Sequence, residues 1–107
     1  MAGYSPWMRS VSVTGGAKQL STLLSAIDPN FPTRLGMIII QMDNASTGNL
    51  YVGNSVVAAN NSGANLIAGG SYTIDPPDNS VLLTTDFYLL VSAGTIQANI
   101  TALPIGQ

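Results

Sequence analysis

The sequence contains no histidine, no cysteine and no glutamate. Without them it lacks the commonest general bases, the usual transition-metal ligands and every Ser-His or Cys-His nucleophile arrangement. Disulfides and thiolate chemistry are excluded as well. We therefore predict that the chain is not an enzyme and that it needs no cofactor, and we assign no metal ligands.

Charged side chains are also scarce. They make up 7% of the residues, where about a quarter is usual, and the formal net charge is −2. The three cations, Lys18, Arg9 and Arg34, are too few to neutralise a run of phosphates. We therefore predict binding neither to nucleic acid nor to an anionic membrane surface. A nearly uncharged polar surface gives a freely diffusing protein little solubility and suits a protein that is held in an assembly.

Lys18 and the serines near it are the first remaining candidates for chemistry. Lys18 with Ser21 or Ser25 has the residue types of a Ser-Lys nucleophile. The order is the reverse of the S-x-x-K motif, and the companion motifs are missing. We interpret Lys18 as a solvated lysine beside polar residues.

Acidic residues flank two consecutive prolines in the second half of the chain. Asp75 and Asp78 have the residue types of a two-carboxylate pair, as in glycosidases. With Asn79 and Asp86 they also have those of an oxygen site for Ca²⁺. Because Asp, Asn and Pro are what a tight turn between strands requires, we interpret the segment as a turn.

Short apolar or alternating stretches recur along the chain, separated by Gly, Asn and Pro turns. Residues 35–42 hold three consecutive isoleucines and predict a central strand covered on both faces. Residues 95–102 alternate cleanly and predict a strand with one face in the core. The whole pattern predicts an all-β fold, a β-sandwich of about seven or eight short antiparallel strands in jelly-roll or immunoglobulin-like order.

Residues 17–27 allow two interpretations. The apolar residues have the i, i+3, i+4, i+7 spacing of one helical face, which predicts a short helix. They are Leu20, Leu23, Leu24 and Ile27. A strand followed by a turn at Asp28-Pro29 fits the same segment equally well, so both interpretations stay open.

The first ten residues predict an extended arm, and residues 11–107 predict the single sandwich domain. Pro6 fixes its own φ and biases Ser5 away from helix. An arm has no core of its own to fill, so we expect its large side chains to enter a pocket of a neighbouring subunit. The predicted partner-binding residues are Tyr4, Trp7, Met8 and Arg9.

Aromatic residues permit one further interpretation. Tyr72 and Tyr88 lie in strand patterns, which favours packing in the core or across strands. Alternatively, the aromatic side chains could build a platform on which a sugar stacks, as in a carbohydrate-binding module. The residues concerned are Tyr4, Trp7, Tyr51, Tyr72 and Tyr88.

Two motifs resemble those of small virion proteins of tailed bacteriophages. Residues 48–55 are GNLYVGNS, and residues 66–77 are LIAGGSYTIDPP. In that group a long apolar strand followed by N-x-S-x-G-x-[IL]-Y-V-G precedes L-x-x-G-x-[ST]-x-x-[IL]. The chain then finishes with an [FLY]-Y-[LV] strand and an alternating strand. The resemblance covers residues 35–103. The apolar strand and the two final strands correspond to residues 37–44, 87–91 and 95–103.

What the resemblance implies is a β-sandwich on the capsid surface of a virion. The protein would be a head decoration or cement protein, and its partner would be the major capsid protein or another virion protein. Exposed strand edges and a free arm are compatible with a homo-oligomer, either a dimer or a trimer. A tail, baseplate or fibre component and a carbohydrate-binding module are the alternatives.

Overall fold

The chain folds into two antiparallel β-sheets. A computed structural model describes residues 7–75 and 81–104. Within those residues it has nine strands, one α-helix and one 3₁₀ turn, Thr84–Asp86. In chain order the strands and the helix are β1 Trp7–Thr14, β2 Lys18–Gln19, α1 Leu20–Ile27, β3 Arg34–Met42, β4 Leu50–Gly53, β5 Ala64–Leu66, β6 Ser71–Ile74, β7 Leu82–Leu83, β8 Tyr88–Val91 and β9 Thr95–Pro104.

The strands pair in a nested order. The five-stranded sheet has the order β1-β9-β3-β6, with the two-residue β7 also paired to β3, and the four-stranded sheet has the order β2-β8-β4-β5. If β7 is set aside, the first strand pairs with the last and the second with the last but one. The third pairs with the sixth, and the fourth with the fifth. All these pairs are antiparallel, so the predicted antiparallel all-β class is confirmed.

One buried cluster takes side chains from both sheets and from the helix. Strand β9 contributes every second residue from Ile96 to Ala102, each at most 1% exposed. The residues between them are on the opposite face of the strand, which confirms the predicted alternation. The four-stranded sheet supplies Leu50, Val52, Leu66, Leu89 and Val91.

Strand β3 is central, as predicted, but its two faces are not equally covered. It lies between β9 and β6, and its inner face buries Ile38 and Ile40. On the outer face Ile39 is partly exposed and Gln41 is exposed. The prediction of cover on both faces is therefore wrong for the outer one, where Ile39 has only its neighbours Thr101 and Thr73 beside it in the sheet.

Residues 17–27 form mainly a helix. Strand β2 takes Lys18 and Gln19, and α1 follows at once. Leu20 and Leu24 are buried in the core, one helical turn apart, which is the pattern that predicted a helix. The helix ends where the Asp28 N–H donates to the Leu24 carbonyl at 2.8 Å. Because α1 packs against β1 and the 3₁₀ turn, it covers the part of the core that lies next to them.

The predicted arm overlaps the first strand. Residues 7–10 belong to β1, which pairs with β9 from Trp7 opposite Ala102 to Thr14 opposite Thr95. Residues 7–10 are thus part of the sheet, because β9 offers the backbone partners that an arm would lack. Residues 1–6 lie outside the described residues.

Two substitutions in β3 compare the faces of the larger sheet. Ile40 is 0% exposed, so Ile40→Ala should lower the free energy of unfolding by about 2–5 kcal/mol. Ile39→Ala should cost clearly less, because the side chain is already partly in water. Urea unfolding followed by Trp7 fluorescence measures both. Equal losses would mean that the outer face is covered after all.

Candidate functional site

Trp7, a predicted partner-binding residue, packs within its own chain. Its ring meets that of Phe31 edge-to-face, with centroids 5.5 Å apart and planes at 63°. Phe31 is buried in the core and Trp7 is partly buried against it. The indole is therefore an internal anchor between β1 and the segment after α1. Tyr4, its predicted companion, lies outside the described residues.

Arg9 is also tied to its own chain. Its guanidinium pairs with the Asp28 carboxylate and donates to the Met8 carbonyl at 2.7 Å. It also lies 5.7 Å from the centroid of the Trp7 ring, within range of a cation–π contact. With the Arg9 and Asp28 side chains 39% and 15% exposed, the ion pair contributes at most about 1 kcal/mol. Its effect is to hold β1 against the end of α1.

Met8 has the opposite orientation, because successive side chains of a strand point to opposite faces. It is 60% exposed. Across the sheet it is in register with Thr101 of β9, which is in register with Ile39 of β3. Of the predicted partner-binding residues that the structure describes, Met8 is thus the one most available to a partner.

The surface around Met8 is uncharged. On the outer side of β1, β9, β3 and β6, the strand residues between Met8 and Thr14 and in register with them carry no ionisable group. Asp43 borders them just after β3, where its N–H donates to the Gln97 carbonyl at 3.0 Å, and the exposed Asp75 lies just after β6. We call this surface the neutral face. It comprises Met8, Ser10, Ser12, Thr14, Ile39, Gln41, Ser71, Thr73, Thr95, Gln97, Asn99 and Thr101.

Hydrogen bonds across strands order the polar part of the neutral face. Ser10 Oγ donates to Asn99 Oδ1 at 2.6 Å, and Gln97 Nε2 donates to Ser12 Oγ at 2.7 Å. The side chains that a partner would meet are therefore held in place before it arrives, which lowers the entropy lost on binding.

Strand β1 borders the neutral face and is an edge of its sheet. It has eight residues and no proline or glycine, so its outer backbone groups can accept a further strand. Two hollows flank it. One, of about 290 Å³, lies beside Met8 and Arg9 on β1 and Asn99 on β9. The other, of about 340 Å³, separates Val11 from the helix and is lined there by Leu23, Ala26 and Ile27.

The candidates for chemistry that the structure describes do not assemble into a reactive site. Lys18 is exposed on β2, and Ser25 Oγ donates to the Thr22 carbonyl at 3.3 Å. Asp75 is exposed at the end of β6, whereas Asp78 and Asn79 lie outside the described residues. Over residues 7–75 and 81–104 no three acidic, histidine or cysteine side chains group as they would around a metal ion.

A second concave site lies between the β4–β5 loop and the 3₁₀ turn. This cleft, of about 280 Å³, is lined by the β4–β5 loop, by Tyr72 of β6 and by Asp86 and Phe87. Sequence reasoning did not single out its loop residues Asn54 and Asn61. The Asn-rich composition of the loop was the available signal, but which residues face them depends on the fold.

The predicted sugar-stacking platform is not formed as a set. Tyr72 lines the cleft, whereas Tyr51 is buried at 9% exposure and Trp7 packs on Phe31. Phe87, which we did not single out from the sequence, lines the same cleft as Tyr72.

Comparison with known proteins adds no relative to this description. No family model, no curated protein and no solved structure matches the chain. Among the described residues, no helix has the length and apolar character needed to span a membrane.

The internal role of Trp7 can be measured in the isolated protein. Trp7→Ala should lower the free energy of unfolding by about 1–3 kcal/mol, less than for a fully buried tryptophan, because the contact with Phe31 is lost. The control Met8→Ala, at an exposed neighbouring position, should change it by no more than about 0.5 kcal/mol. Chemical unfolding followed by circular dichroism gives both values. Unchanged stability in Trp7→Ala would mean that Trp7 does not stabilise its own chain and is available to a partner, as the sequence predicted.

Proposed function

We propose that the chain is a non-enzymatic structural protein of a tailed-phage virion that binds the major capsid protein and stabilises the capsid surface. The observation that carries this proposal is the neutral face together with the edge of β1 to which no further described strand pairs. The motifs at residues 48–55 and 66–77 resemble those of phage virion proteins and are the reason for proposing a phage virion.

As part of this proposal, the two sheets form a β-sandwich of the jelly-roll type. The nested pairing of first with last, second with last but one, and so on inward is the order obtained when a long hairpin is rolled into two sheets. The common core with side chains from both sheets supports it. Jelly rolls occur in viral capsid proteins, and this is an analogy of fold alone.

The neutral face suits a permanent contact. Burying a charged group without a partner costs several kcal/mol, and the residues that make up the neutral face include no such group. Met8 and Ile39 give one end of it apolar side chains, and the ordered serines, threonines and amides next to them can form hydrogen bonds. A stable contact requires about 800 Å² on each partner.

The edge of β1 offers a second way for a partner to bind next to the neutral face. An extended segment of a capsid subunit can pair with its outer backbone groups and place side chains in the apolar hollow beside Leu23 and Ile27. A second copy of the chain can use the same edge, which supports a dimer or trimer on the particle.

Copy number distinguishes a capsid role from a tail role. We expect quantitative mass spectrometry of purified particles to find this chain at a number comparable to that of the major capsid protein. A few copies per particle would indicate a tail, baseplate or fibre component. Absence from particles would overturn both.

Met8→Lys tests the neutral face. A lysine at this position would have to be desolvated on docking, so the binding of the purified protein to capsids stripped of it should fall at least about tenfold. The control is Ile67→Lys, since Ile67 is 65% exposed, much as Met8 is, but lies outside the neutral face. Equal binding by the two variants would show that the contact lies elsewhere.

Salt provides an independent measurement. Because the proposed contact has no ion pairs, raising the ionic strength from low to high should leave capsid binding nearly unchanged. Co-sedimentation of the protein with capsids over a salt series measures this. A steep loss at high salt would mean that charges, and therefore a different surface, hold the protein on the particle.

A further inference from the structure

The cleft between the β4–β5 loop and the 3₁₀ turn has two aromatic side chains in its lining. Tyr72 and Phe87 line it, and both are partly buried against the core, so their positions are fixed by packing. Gly63 lies close to Tyr72, since a Cβ on this glycine would be 3.6 Å from the tyrosine hydroxyl. Side chains of this kind offer an apolar surface together with one hydroxyl group.

The rim of the cleft presents two amides in fixed orientations. Asn54 Oδ1 accepts from the Val56 N–H, and Asn61 Nδ2 donates to the Val56 carbonyl, each at 3.0 Å. The Asn54 amide nitrogen and the Asn61 amide oxygen are left for a ligand, as one donor and one acceptor. Backbone bonds between Ala58 and Asn61, at 2.9 and 3.0 Å, stiffen the same loop.

Asp86 adds one negative charge to the rim. Among the described residues the single ion pair joins Arg9 to Asp28, so the Asp86 carboxylate has no cation partner there. It is exposed and can accept two hydrogen bonds from neighbouring hydroxyl groups. One carboxylate alone is too few ligands for Ca²⁺, which takes six to eight oxygens.

We propose that this cleft binds a neutral sugar residue. A pyranose ring has an apolar face to lie on Tyr72 and Phe87, and adjacent hydroxyl groups to bond Asp86 and Asn61. The Asn54 amide nitrogen donates to a further ring or hydroxyl oxygen. With about 280 Å³ the site is at the small end for ligand pockets, which suits one residue of a saccharide.

The Asp86 carboxylate also sets the specificity. It repels an anionic ligand, so uronic acids, sialic acids and phosphorylated sugars are disfavoured. This site is on the inner side of β6, whereas the neutral face uses Ser71 and Thr73 on the outer side. Sugar binding and capsid binding therefore use different surfaces, and a negative result for one does not contradict the other.

The experiment is an NMR titration of the ¹⁵N-labelled full chain with a panel of neutral methyl glycosides at millimolar concentration. We expect shifts confined to the cleft for at least one glycoside, and weaker binding of its uronic acid counterpart. Asp86→Asn should weaken binding of the neutral glycoside about tenfold or more, because a charged hydrogen bond is lost. It should also narrow the difference between the neutral and anionic sugars. Asp43→Asn, outside the cleft, is the control.

A blocking substitution gives a second measurement that does not depend on charge. Ser62→Trp should abolish the shifts by filling the cleft, whereas Ser55→Trp, also exposed in the same loop but not lining the cleft, should leave them. The amide spectrum of each variant reports whether it is folded. No shifts with any glycoside, binding unaffected by both Asp86→Asn and Ser62→Trp, or cleft shifts with Ca²⁺ alone would each overturn the proposal.

Discussion

The pairing of β9 with both β1 and β3 is the interaction on which the larger sheet depends. Every second residue of β9 is buried, and the alternate residues form the middle row of the neutral face. One strand with a strict alternation therefore produces the core and the proposed docking surface at once. A change of register by one residue would move the buried residues of β9 to the outer face and the outer residues into the core.

The sequence predicts what depends on local periodicity. Residues 95–102 could be placed as a strand because their side chains alternate with a period of two, whatever the partner. Residues 35–42 could be placed because their apolar run is rich in β-branched residues and too short for a globular helix. The partner itself was not predictable. Trp7 was assigned to an arm because its ladder with Ala102 joins distant parts of the chain, and the cover on β3 depends on what packs against it. The choice of helix for α1 likewise depended on the core that Leu20 and Leu24 enter.

Sequence patterns also could not show which of the predicted site residues face a partner. Met8 and Arg9 were proposed together, yet they lie on opposite faces of β1, and Arg9 is engaged by Asp28. The motif glycines are accounted for by backbone geometry. Gly48 has φ +93°, and Gly69 has φ +79° at a place where a Cβ would collide with Asn44. These motif residues therefore indicate turns of a fold, and the function has to be argued from surfaces.

The ladder between β1 and β9 has a consequence for synthesis. During translation β1 is made before its partner residues 95–102, which follow it by about 80 residues. Until then the apolar side chains of β1, such as Val11 and Val13, have no β9 to complete their core. Contacts so distant in sequence slow folding and leave strand edges open to other chains. The β1–β9 ladder can therefore form only after residues 95–102 have left the ribosome.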